Sequence, residues 1–192
     1  MESRQVRLLI IVVIILAIGL FIIAPYNSMI QLRNNVYEQK AQIENVLQAR
    51  VEKIPDLVAT VKEYTKHEEE VFTQVAKARA GLAEAIQTGD IEKMETANGE
   101  LSTALKQLDV VVEAYPELKA SELYRGLMDE ISGSVNRISQ ERRTYNKVVT
   151  EYNNKLQTFP TVMYAGMLGF TPEKYFEASE EAHKTNVVDF GD

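Results

Sequence analysis

From Pro25 almost to residue 160, apolar side chains recur every three or four positions, the spacing of helices that bury one stripe. Met29, Val36, Ile43 and Leu47 form the first stripe, on a predicted helix from about Tyr26 to Lys53. Ile54-Pro55-Asp56 reads as a turn, with Pro55 in the first turn of the next helix, where amides lack partners anyway. That second helix carries Leu57, Val58, Val61, Tyr64, Val71, Phe72, Val75, Leu82 and Ile86 to about Thr88. Gly89-Asp90 supplies a stop and a restart. The third helix holds Ile91, Met94, Leu101, Leu105, Leu108, Val111, Val112 and Tyr115 and ends at Pro116. The fourth starts near the capping residue Ser121 and stops before Pro160. Its stripe is Leu123, Leu127, Ile131, Val135, Ile138, Tyr145, Val149, Tyr152 and Leu156. It outruns the first helix, which admits either a break at Gly126 or Gly133 or an overhang.

Four amphipathic helices joined by short turns predict an all-α, up-and-down four-helix bundle over residues 25–160. Residues 161–192 form a short C-terminal tail, expected to pack on the bundle or on its membrane-proximal surface. Its run from Val162 to Phe170 is the most apolar stretch outside the helices.

Ahead of the bundle, in residues 1–24, the pattern changes. Leu8–Ala24 is a run of 17 residues without a charge, at the short end of what spans a bilayer as a helix. Arg4 and Arg7 stand before it, and Tyr26 follows it where an aromatic ring suits the headgroup zone. The run exceeds the apolar core of a signal peptide, and cleavage after Ala24 would put bulky Ile22 where a small residue is needed. An uncleaved, single-pass transmembrane anchor in the plasma membrane is the expectation, with the lipid bilayer as first partner. The two arginines favour a cytoplasmic N-terminus and an external body.

Composition narrows the function. Residues 25–192 carry 19 basic and 27 acidic side chains, an acidic body without the clustered cations that nucleic acid requires. With zero cysteines, thiol catalysis, disulfides and Cys-ligated metals are out. Two histidines and no Gly-x-Ser-x-Gly elbow leave no nucleophile–base pair to nominate, and no phosphate loop suggests a cofactor. The charge run His67–Glu70 reads as a solvated helix face. As a metal site His67 would rely on Glu63 or Glu70, and the other histidine, His183, lies far along the tail.

The remaining candidates are contacts. Asn27 and Asn34 are seven apart, as are Asn146 and Asn153, a spacing that returns to nearly one helix face. They read as polar pairs between the first and fourth helices, fixing register, with a polar partner-binding groove as the competing reading. Arg50, Asp56, Glu117 and Lys119 are drawn toward one end by the predicted turns and form a candidate docking tip. In the tail, Tyr164, Met167, Leu168 and Phe170 could pack inward, lie in the lipid interface, or form a patch for another protein. Arg33 and Arg142 are expected to snorkel or to pair with a carboxylate.

The turns and the Tyr-Asn pairs also carry a resemblance. Tyr26-Asn27 with Leu32-Arg33-Asn34, Arg50 leading into Ile54-Pro55-Asp56-Leu57-Val58, and Ala78-Arg79-Ala80 are three of its stretches. Others are Glu113-Ala114-Tyr115-Pro116, Arg142-Arg143 with Tyr145-Asn146, Tyr152-Asn153, Phe159-Pro160 and Tyr175-Phe176-Glu177. In this order the chain resembles the LemA family of bacterial membrane-attached helical proteins. The resemblance implies an N-terminal anchor and an up-and-down four-helix bundle, and it implies no catalytic activity. Together these readings favour a non-enzymatic scaffold or adaptor in the bacterial cell envelope, acting on protein partners, with homo-oligomerisation left open. The rival readings are a membrane-attached sensory or ligand-binding bundle and a metal-binding protein using His67.

Overall fold

The computed structural model describes residues 2–65 and 67–177, with residues 2, 3 and 14–22 described by backbone alone. Its elements are α1 (Glu2–Tyr64), α2 (Glu69–Thr88), α3 (Ile91–Val112), α4 (Pro116–Ala120) and α5 (Glu122–Gln157). A single 3-10 turn follows at Thr161–Met163, and no strand occurs among the described residues. The chain is all-α. Two compact units divide it, one of residues 1–39 with 147–173, the other of residues 40–146 with 174–192.

In the larger unit, Ile43, Leu47, Val51, Ile54, Leu57 and Val61 of α1 are buried at helical spacing. Phe72, Val75 and Leu82 of α2, Met94, Leu101 and Leu108 of α3, and Leu127, Ile131 and Ile138 of α5 complete the core. Polar bonds cross the same faces. Arg50 of α1 donates to Ser102 of α3 at 3.2 Å, and Lys53 of α1 meets Glu130 of α5 at 3.2 Å. The Tyr124 hydroxyl of α5 donates to Asp109 of α3 at 2.9 Å. These contacts tie four helical segments into a bundle. α2 and α3 form a hairpin: Gly89 closes α2 at φ 62°, a conformation that an L side chain resists, and Asp90 caps α3 by accepting from the Glu92 and Lys93 amides.

Helix α1 overturns two expected boundaries. It passes through both Pro25 and Pro55 without a break and ends only at Tyr64, so there is no turn at Ile54-Pro55-Asp56. An interior proline removes one amide and crowds the carbonyl four residues back, at a cost of about 3 kcal/mol. At Pro55 that carbonyl belongs to Val51, and the Arg79 Nε of α2 donates to it at 3.1 Å. Val51, Ile54, Leu57 and Val61 meanwhile keep the buried stripe in phase across the proline. A partner from the next helix and continuous burial together override the local signal.

Smaller corrections concern α4 and α5. A short helix, α4, occupies the turn after Tyr115, with Pro116 in its first turn and Leu118 fully buried. Leu123 and Val135 are exposed, and their neighbours Tyr124 and Ser134 point inward instead. Leu127, Ile131 and Ile138 keep the expected phase, so each miss is a local choice between residues three and four positions from a buried neighbour. α5 runs through Gly126 and Gly133 without interruption.

In the smaller unit, Met29 and Val36 of α1 are buried, as are Val149, Tyr152, Asn153 and Leu156 of α5 and Thr161, Ala165 and Phe170 of the tail. Among the described residues no helix is long and apolar enough to cross a membrane. The predicted span Leu8–Ala24 belongs to α1, but its side chains 14–22 lie outside the described residues, as do His183 and the rest of 178–192.

Arg79→Met should cost about 1–2 kcal/mol in chemical denaturation, because a partly buried carbonyl loses its donor. In a Pro55→Ala background, where residue 55 regains its amide, the same substitution should cost distinctly less. Equal costs in the two backgrounds would show that Arg79 does not serve the Val51 carbonyl.

Candidate functional site

The most elaborate polar construction holds the C-terminal segment against α5. After the 3-10 turn, residues 171–177 have no helix or strand of their own, so their backbone groups need partners from elsewhere. Tyr-Asn dipeptides on α5 provide them.

In the smaller unit, the Asn153 Nδ2 donates to the Glu173 carbonyl at 2.9 Å, and its Oδ1 accepts from the Glu173 amide at 2.9 Å. The neighbouring Tyr152 hydroxyl donates to the Thr171 carbonyl at 3.0 Å. Burial raises the Tyr152 phenol above its ordinary pKa, so it remains a donor well past neutral pH. Phe170 packs edge-on to Tyr26 with centroids 5.7 Å apart, and the Arg33 guanidinium lies 5.0 Å from the centre of its ring.

The larger unit repeats the device. Asn146 Nδ2 donates to the Phe176 carbonyl at 2.8 Å and Oδ1 accepts from the Phe176 amide at 2.9 Å. The Tyr145 hydroxyl donates to the Lys174 carbonyl at 3.0 Å. Phe176 stands edge-on to Tyr145 at 5.1 Å, with the Arg142 guanidinium 5.4 Å from its ring centre. In each unit an asparagine grips a peptide unit at both its N–H and its C=O, a tyrosine takes a second carbonyl, and an arginine covers a tail phenylalanine.

Behind the second clamp lies a partly buried charge cluster. Arg142 meets Glu95 of α3 at 3.3 Å. Burial raises the Glu95 carboxyl above its usual range, against the opposing pull of Arg142 and of the Glu177 backbone amide. Burial likewise lowers Arg142, against the pull of Glu95. Arg50, only 3% exposed, donates to the neutral oxygens of Asn98 and Ser102. Desolvation, followed by repulsion from Arg142, pushes it down to about 10, so it stays charged at neutral pH.

Arg50 is buried in the bundle and is not at an exposed tip, because α1 does not turn at Pro55. Asp56 and Glu117 are exposed, and Lys119 is exposed in an ion pair with Glu113 at 2.6 Å, of the kind that contributes little to stability. Asn27 and Asn34 are exposed, and Asn146 and Asn153 bond the backbone of the tail as described above. Phe170 is buried, Tyr164 half-buried, and Met167 and Leu168 exposed. His67, Glu63 and Glu70 are all exposed, and no group of three metal-ligating side chains converges among the described residues. Sequence reasoning missed Arg79, Glu95, Asn98, Phe176 and Glu173 as partners. The seven-residue Tyr-Asn repeat was the available signal, but a backbone partner has no side-chain signature to match it.

Comparison with known proteins decides the family. The LemA family's sequence model matches residues 39–190, most of the chain. The chain belongs to the LemA family. It is 26% identical over 171 residues to Protein LemA of Metamycoplasma hominis, covering 86% of this chain and 76% of that protein. It is 22% identical to Magnetosome protein MamQ 2 of Paramagnetospirillum magneticum, covering 79% of this chain and 64% of that protein. Magnetosome protein MamQ of Magnetospirillum gryphiswaldense is also 22% identical, over 90% of this chain and 72% of its own length.

The clamps make separable forecasts. Asn153→Leu should accelerate hydrogen exchange of the Glu173 amide about tenfold or more while leaving the Phe176 amide nearly unchanged. Asn146→Leu should do the reverse. If either substitution released both amides equally, the tail would be held as one unit and not by two local grips.

Proposed function

We propose that this LemA-family chain is a membrane-anchored helical bundle serving as a non-enzymatic scaffold or adaptor in the bacterial cell envelope. The observation that carries the reading is the exposure, on every side of α1, of consecutive apolar side chains from Leu8 to Val13, with Ile23 exposed beyond them. A helix apolar all round belongs in lipid or in a core, and these side chains are covered by neither within the chain. Because α1 continues through Pro25, the proposed span and the first bundle helix are one element with no hinge between them.

The up-and-down arrangement of the helices fits the α2–α3 hairpin and the short link through α4. The polar side chains that stand out for burial hold backbone and pair with one another, which suits holding more than reacting. Relatives named magnetosome proteins fit a part in a larger assembly. Arg4 and Arg7 before the proposed span favour an external bundle by the positive-inside rule, and protein partners there would meet exposed residues such as Asp56, Glu117 and Lys119.

Topology is the test. The chain has no cysteine, and a Cβ at Gly99 meets open space, so Gly99→Cys gives one tolerated label site. In intact cells an impermeant maleimide should label it without lysis, and the chain should stay with membranes through an alkaline wash. Labelling only after lysis would put the bundle in the cytoplasm. Release by the wash would sink the anchor.

A further inference from the structure

The turn between α5 and the clamped tail leaves its apolar side chains outside. Phe159 is 72% exposed, Met163 69% and Met167 89%, with Val162 and Leu168 exposed beside them. Five large apolar side chains in ten residues form a contiguous knuckle of the sort that marks an interaction site. Its occupant can be argued from charge and from position.

About a quarter of the chain is charged, yet from Leu156 to Pro172 no residue is. The other long charge-free stretch runs from Leu8 to Leu32 on α1. The two meet within the smaller unit: Phe170 packs on Tyr26, and charges resume together at Arg33, which lies over the same Phe170. Tyr26 is two residues past Ala24, about 3 Å of helix rise beyond the apolar run. Lys155 closes the uncharged window on α5, and Glu173, held by Asn153, closes it on the tail. The backbone of the knuckle is also prepared for a place poor in water. Ala165 donates to the Thr161 carbonyl, Leu168 to that of Tyr164 and Phe170 to that of Ala165, so tight turns satisfy these amides internally.

We propose that the knuckle 159–168 lies in the lipid interface beside α1, with Phe159, Met163 and Met167 dipping into the headgroup–acyl boundary as a second, monotopic contact. The inference rests on the anchoring of α1 proposed above. Such an element inserts only shallowly, about 5–10 Å, as befits apolar side chains on a turn and not on a span. Phe170 and the Asn153 grip fix the knuckle to the helix that enters the membrane, so insertion would need no rearrangement of the tail.

The chain has no tryptophan, so single substitutions report without background. The full chain would be reconstituted in phosphatidylcholine vesicles carrying shallow nitroxide lipids, with Met167→Trp, Phe159→Trp, Val12→Trp or Val110→Trp as sole fluorophore. Val12 lies in the proposed span and Val110 is an exposed apolar residue of α3. Emission from Met167→Trp and Phe159→Trp should be blue-shifted and quenched several-fold more than from Val110→Trp. Quenching of Val12→Trp without quenching of the two knuckle variants would overturn the interfacial contact and leave the anchor standing. A blue shift at the knuckle without lipid quenching would overturn it in favour of a protein cover. Absence of quenching in all four would sink the anchoring and this contact with it.

Discussion

An extended backbone laid against a helix has no ladder to join, and its amides and carbonyls cost free energy if they are buried unpaired. The tail of this chain depends on side chains of α5 to meet that requirement. A carboxamide can do so because it presents a donor and an acceptor side by side, the complement of one peptide unit. Asn153 and Asn146 each use both atoms on a single residue, Glu173 and Phe176 respectively. The adjacent tyrosines each take one more carbonyl. Because these bonds read backbone, they fix the path of the tail while placing little demand on its side chains. The demand falls on Phe170 and Phe176, which fill the space beside each clamp under an arginine, an arrangement worth about 0.5–2 kcal/mol when partly desolvated.

The same accounting explains why α1 survives Pro55. A helix loses a bond at an interior proline, and the loss matters less when another donor reaches the vacant carbonyl. Arg79 is such a donor, and its guanidinium also brings α2 to a defined height on α1. Buried Arg50 and half-buried Arg142 extend the theme at greater expense. Arg142 has a carboxylate partner, whereas Arg50 is held by neutral oxygens, next to another cation. Buried ionic groups of this kind are better understood as fixing one arrangement of helices than as adding stability.

The structural chemistry of the chain is therefore dominated by groups that hold. Family membership, the exposed apolar side chains of α1 and the charge-free knuckle beside Tyr26 draw attention to the membrane boundary. Were α1 anchored as proposed, its continuity through Pro25 would let the anchor set the orientation of the helix that follows it. A second interfacial contact would constrain rotation about that helix as well.

By itself the sequence determined the helical class, the charge-free segments, the α2–α3 hairpin at Gly89-Asp90 and most of the buried stripe, from Met29 through Leu108 to Leu156. These follow from local periodicity and from the backbone preferences of glycine and aspartate, which act within a few residues. The family resemblance was legible for the same reason, since it is carried by short ordered motifs. Pro55 misled because its cost is local and its remedy, Arg79, comes from another helix. Leu123 and Val135 misled because each lies four residues from a buried neighbour, and the core instead takes the residue three away, Tyr124 or Ser134, which is less aliphatic. The asparagine spacing was visible, but only the tertiary structure decided that its partners are peptide groups of the tail, since every residue presents the same amide and carbonyl. It also decided that Phe170 faces inward while Met167 faces out, because a turn without periodicity gives its apolar side chains no pattern from which direction can be read.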